Sequence, residues 1–194
     1  MDPGDDPLVG SHAGAHGRVV VSGVVLTDEH EPLLHFSEDP SITRFAPHVP
    51  PTNPTHEPAV WAIDAEHAPV YWFPRECPRG SVWASDDAQQ AILHERFLTT
   101  ASRVHATELA WLDRMRTVEL YVYELDREAF EEWPPAEGQW ISRDVVEPLA
   151  VRPLGDLLDL HVQSAIELRF VPDLSTFWGE VVASGLPFSG VRLR

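Results

Sequence analysis

From Leu33 onward the apolar residues follow two recurring patterns. Some runs alternate with period two or are briefly continuous, as strands are; others return every three or four residues, as helices do. LLHFS (33–37), AVWAI (59–63), GSVWAS (80–85), QWIS (139–142), VVEPLAV (145–151), IELRFV (166–171) and FSGVRL (188–193) read as strands. VELYVYELD (118–126) alternates most regularly. Leu120, Val122 and Glu124 share one face, and Tyr121, Tyr123 and Leu125 the other. Asp64 is placed to cap a short helix across AEHAPVYWF, which Pro74 ends, and Asp86 to cap one across DAQQAILHERF. Ala106, Leu109, Ala110, Leu112 and Met115 predict a helix near 104–116, and DREAFEEW a helical turn. Leu154, Leu157, Leu158 and Val162 predict another helix within 154–165, and a last one falls near 175–184.

Strands and helices are mixed without a regular βαβ repeat. The expected class is therefore α+β, with mixed and mostly antiparallel sheets and short helices. No G-x-G-x-x-G follows a strand, which disfavours a dinucleotide-binding doubly wound sheet. Residues 1–31 differ in texture, rich in Gly, Asp, His and Ala without a period, and read as a flexible leader with a short strand at 18–26. Residues 32–194 read as a single domain. The segment 48–58 carries Pro50, Pro51, Pro54 and Pro58, so it cannot be a regular element and reads as a binding loop or lid.

Composition narrows the chemistry. All 14 basic residues are arginine, against 31 acids, for a net charge of −17. Without lysine there is no Schiff-base enzyme, no Walker phosphate loop and no kinase strand lysine. The charge opposes binding of duplex nucleic acid. It also leaves open an interaction module whose acidic face meets a basic partner of unknown identity. The single cysteine, Cys77, excludes an intrachain disulfide and a multi-cysteine zinc cluster, and a reducing cytoplasm is the expected setting. No apolar run is long enough for a membrane span. HEPLLH (30–35) is one residue too long for a zinc helix and contains Pro32, so no metal site is expected from it. G-x-S-x-G is absent.

Three clusters remain as candidate chemistry. His35 and Ser37 stand two apart on a strand and share a face, with Phe36 turned into the core. Residues 61–79 combine Trp61, His67, Tyr71, Trp72, Phe73, Arg75 and Arg79. Aromatic faces suit a flat ligand ring, and arginines four apart suit a phosphate or carboxylate. The same block equally fits a packed aromatic core whose arginines pair with acids. Cys77, between those arginines, would have a lowered pKa if their charge dominates, and is otherwise a structural thiol. In GQWISRDVVEPL, Gln139 and Glu147 are polar groups on or beside strands.

LLHFSEDPSITRFAPHVP, AVWAIDAEHAPVYWFPRECPR, TTASRVHATELAWL and GQWISRDVVEPL resemble the blocks of an uncharacterised bacterial family of unknown function, over about residues 33–194. A more distant resemblance is to the ADP-ribosyltransferase-like superfamily. It implies NAD as cofactor, with His35 on the ribose, Tyr71 over the nicotinamide, and Glu147, or Gln139 in its place, beside the reacting carbon. It further implies Arg44, Arg75 or Arg79 on the pyrophosphate, while Ser37 beside His35, Trp61 of the aromatic block and Gln139 are read as further cofactor-binding residues. The alternative is a non-catalytic pocket for a small anionic or aromatic metabolite, because Gln139 carries no charge.

Overall fold

The computed structural model describes residues 31–49 and 57–192. Ten strands run in chain order: β1 Leu33–Ser37, β2 Val60–Ile63, β3 Arg79–Trp83, β4 Arg103–Glu108, β5 Tyr121–Leu125, β6 Glu131–Glu132, β7 Gln139–Ser142, β8 Ala150–Pro153, β9 Glu167–Val171 and β10 Phe188–Val191. Four α-helices accompany them: α1 Asp87–Phe97, α2 Leu112–Thr117, α3 Leu157–Gln163 and α4 Ser175–Ser184. The strands form a six-stranded sheet, β6-β7-β2-β1-β5-β8, and a four-stranded sheet, β10-β3-β4-β9. Every pairing between them is antiparallel except β4 with β9. The fold is thus mixed α+β with two mostly antiparallel sheets.

Local chemistry explains several helix ends. The Asp86 carboxylate accepts the Gln89 N–H at 2.8 Å, capping α1, and Leu98 leaves it in the left-handed region. Asp156 accepts two backbone N–H groups at the start of α3. Gly185, at φ 71°, ends α4 where a side chain would be strained.

α1 and α4 cover one face of the smaller sheet, where Val82, Leu93, Phe97, Val104, Phe177 and Val181 are buried together. The larger sheet buries Leu33, Val60, Tyr123 and Leu125 with Phe45 and Val146. A third cluster gathers Trp72, Phe73, Cys77, Met115, Leu157 and Ile166.

Three expected elements differ. The stretch predicted as a helix over 104–116 begins as β4, followed by a 3-10 turn at Leu109–Trp111 and the short α2. β4 is a central strand, bonded to β3 on one side and β9 on the other, and those ladders override the helical spacing of Ala106, Leu109 and Ala110. Leu109 is in fact half exposed. Within AEHAPVYWF only Ala68–Tyr71 forms a 3-10 turn, since Pro69 lacks an amide proton. VVEPLAV is not one strand: Val146 makes an isolated bridge to Phe45, Pro148 intervenes, and β8 starts at Ala150.

The leader and its strand at 18–26 lie outside the described residues, as does 50–56 of the proline-rich segment. The ends of that segment are tied together by reciprocal His48 and Ala59 backbone bonds of 3.2 and 3.1 Å. Among the described residues no helix is long and apolar enough to cross a membrane.

The feature that makes the site is a split in the larger sheet. β1 and β5 pair across five positions and β2 and β7 across four, but β1 and β2 pair only at Leu34 and Ile63. Beyond that point the neighbouring strands diverge.

Candidate functional site

The split opens into a small cavity of about 80 Å3, partly open to solvent. Ligand pockets run from roughly 300 to 1,000 Å3, so this one takes only a small group or one end of a larger molecule. β1 supplies Leu34, His35 and Phe36 to its wall; β2 supplies Trp61, Ala62 and Ile63. Tyr71, ending the 3-10 turn, and Gln139, opening β7, complete it.

His35 bridges the split with its side chain. Its Nδ1–H donates to the Trp61 carbonyl at 2.9 Å, and its ring packs at 4.7 Å against Phe45. Burial lowers its pKa; the bond to Trp61 opposes this, and His48 and Arg75 add to the lowering. The ring is therefore neutral near pH 7, with Nε2 as a bare acceptor that has no partner among the described residues. Tyr71 accepts a hydrogen bond from Gln139 Nε2 at 3.1 Å and keeps its own O–H to donate. Its ring lies 14° from parallel with Phe36, centroids 6.2 Å apart. The Gln139 carbonyl oxygen is a further acceptor. An apolar wall thus carries hydrogen-bonding groups of both kinds, acceptors on His35 and Gln139 and a donor on Tyr71 among them, and no lining residue carries a formal charge.

The structure brings together four of the sequence candidates: His35, Trp61, Tyr71 and Gln139. The others lie elsewhere. Ser37 caps a turn, its Oγ accepting the Asp39 N–H at 3.1 Å. Arg44 is exposed. Arg75 is exposed as well, yet close enough for its charge to act on His35. Glu147 is exposed and outside the cavity lining.

Arg79 is only 5 % exposed. Its Nε–H donates to the Val70 carbonyl at 2.9 Å and Nη1 to the Cys77 carbonyl at 3.1 Å. The guanidinium lies 5.5 Å from the Tyr71 ring centre and 5.4 Å from that of Phe73. It braces the segment carrying Tyr71, and its two carbonyl bonds hold it away from the cavity.

Of the two readings of Cys77, the structural thiol is the one that fits: its pKa is pushed up to about 11, because burial outweighs the Thr107 hydrogen bond and the Arg79 charge. Phe36, expected in the core, also borders the cavity, because β1 loses β2 as a neighbour just where Phe36 stands.

Sequence reasoning did not single out Asp64 with His67 as a pair. His67 Nδ1 lies 2.8 Å from Asp64 Oδ1, and the same oxygen accepts the His67 backbone N–H. The D-x-x-H spacing was the only signal, but alone it fits any capped turn. His105 and His161, dispersed in sequence, form a buried pair 3.0 Å apart. Among the described residues no group of three or more His, Cys, Asp or Glu could hold a metal ion.

No curated protein and no solved structure matches the chain. A family of unknown function, DUF6886, matches residues 34–194, which include every residue of the cavity and both sheets but for Leu33. The chain belongs to the DUF6886 family.

Proposed function

We propose that the split-sheet cavity binds NAD or a closely related nucleotide in an ADP-ribosyltransferase-like arrangement, with the nicotinamide end innermost. The observation that carries this reading is the convergence of His35, Trp61, Tyr71 and Gln139, from four chain segments, on one cavity. A flat ring has Tyr71 and Trp61 to lie against. A carboxamide matches the Tyr71 O–H donor and the Gln139 carbonyl acceptor. A ribose hydroxyl has His35 Nε2 to donate to. Arg75 at the exposed side is the cation for a diphosphate.

A second reading is binding without group transfer. Breaking the nicotinamide–ribose bond develops positive charge on the sugar, which a preorganised carboxylate would stabilise. None of the eight lining residues is an acid, which favours binding without transfer.

Calorimetry with NAD tests the first reading. Binding is expected at millimolar NAD or below, weakened roughly two- to tenfold in His35→Ala by loss of one hydrogen bond. No heat at millimolar NAD, or identical binding by His35→Ala and Tyr71→Ala, would count against it. Assay of free nicotinamide after incubation separates transfer from binding.

A further inference from the structure

We infer that His67 is a positioning residue for this cavity: bridging Asp64 and Glu137, it sets the placement of Gln139 and Tyr71, and its protonation state couples to the pocket. The inference takes the split-sheet cavity as the ligand site. It does not depend on the ligand being NAD.

The geometry places His67 where three pocket segments meet. Its Nδ1–H donates to Asp64 at 2.8 Å, and Asp64 directly follows Ile63 at the end of β2. Its Nε2 lies 3.8 Å from Glu137, two residues before Gln139. It is also the residue from which the turn ending at Tyr71 starts. The ring rests on Gly138, where an added Cβ would stand 2.3 Å from His67 Nδ1 and 2.4 Å from its Cγ. Gly138 is held at φ 75°, and its carbonyl accepts the Asp64 N–H at 3.0 Å. Moving His67 therefore moves the peptide that carries Gln139, whose side chain bonds Tyr71.

The surrounding charges favour the imidazolium. Asp64, Glu66 and Glu137 face His67 from β2's end, from its own turn and from the approach to β7. Trp83 of β3 packs edge-on against the ring at 5.7 Å. Arg103 of β4 stands over Trp83 and donates to the Glu66 carbonyl. Burial disfavours the charge, but the Asp64 bond and the three acids outweigh it, so the pKa is raised. With a charged His67, the ends of β2 and β7 are drawn together through one ring. On deprotonation Nε2 loses its attraction to Glu137, and Gly138 is freed on that side.

Nuclear magnetic resonance on the ligand-free full chain tests this. The His67 ring and the Gln139 side-chain amide are followed together from pH 5.5 to 8.5. The expected result is a Gln139 transition with the His67 midpoint, and a fall of both midpoints in Glu137→Gln, an exposed substitution that spares the fold. A Gln139 signal that ignores pH, or keeps its wild-type midpoint when that of His67 moves, overturns the inference. NAD titrated in parallel is expected to bind roughly fivefold or more weakly above the His67 midpoint. Coupled His67 and Gln139 transitions without NAD binding at any pH would uphold the positioning role and count against NAD as the ligand.

Discussion

Gly138→Ala puts the joint between His67 and the pocket under the most direct test. Two costs add. The first is conformational: φ is 75°, a region that costs a side-chain-bearing residue about 1–2 kcal/mol. The second is steric. The new Cβ would meet His67 Nδ1, Cγ and Cβ at 2.3, 2.4 and 2.7 Å, all far inside van der Waals contact. His67 cannot swing away freely, since it is 6 % exposed and held to Asp64. Overpacking of this kind costs about 1–3 kcal/mol. Gly185 supplies the control. Its φ is 71°, but an added Cβ there meets nothing within 4 Å. Gly185→Ala should therefore lose only the conformational part. Urea unfolding of the two variants beside the wild type gives the steric part by difference, expected at about 1–3 kcal/mol, with a Tm gap of roughly 2–4 °C for each kcal/mol. Equal destabilisation of the two variants would refute the packing of His67 on Gly138.

Two further outcomes rest on buried groups. Cys77, fully buried with its pKa at about 11, should resist thiol reagents at pH 8 in the native protein and react only after denaturation; fast native labelling would show that the thiol is accessible. Stability should fall as pH drops below 6.5. Burial, then the His161 charge, hold the His105 pKa well below that of an unfolded histidine, and burial lowers that of His161. The unfolded chain then binds more protons than the native one, so the stability that these groups contribute is present above pH 6.5 and lost below it. His67, with its raised pKa, acts oppositely: its contribution is complete below pH 6.5 and is lost as pH rises through its native pKa. Urea midpoints from pH 5 to 8 in wild type and His105→Gln check the His105 contribution. A wild-type acid slope that persists unchanged in the variant would show that other groups cause it.

Much of the fold is legible in the chain because local rules suffice for it. Asp86 before DAQQAILHERF is a capping signal, and the cap forms. LLHFS, QWIS and IELRFV are apolar runs of strand length, and each is a strand. The helix expected over 104–116 fails at β4, where buried ladders on both sides outweigh the spacing of a few alanines and leucines. The site was half legible. Trp61 and Tyr71 stood out as aromatic faces for a flat ligand and His35 and Gln139 as polar groups beside them, and all four line the cavity. Arg79 looked like an anion ligand because it is a cation among prolines, yet burial and two carbonyl bonds make it a brace. Asp64 and His67 passed unremarked as a pair, since their importance rests on Gly138, about seventy residues away.

By itself the sequence determined many of the element types, the absence of lysine and cysteine-pair chemistry, and a short roster of aromatic and polar residues. These come from covalent chemistry and from periodicities that extend over a few residues. Which of those residues meet was decided only in the tertiary structure. The cavity exists because β1 and β2 pair once and then diverge, and a strand's neighbours are chosen by contacts between distant segments. The same physics fixes the charge states. Arg79, His67 and Cys77 carry the same groups in any chain, but burial and the neighbours that folding brings set which of them can hold a proton, and where.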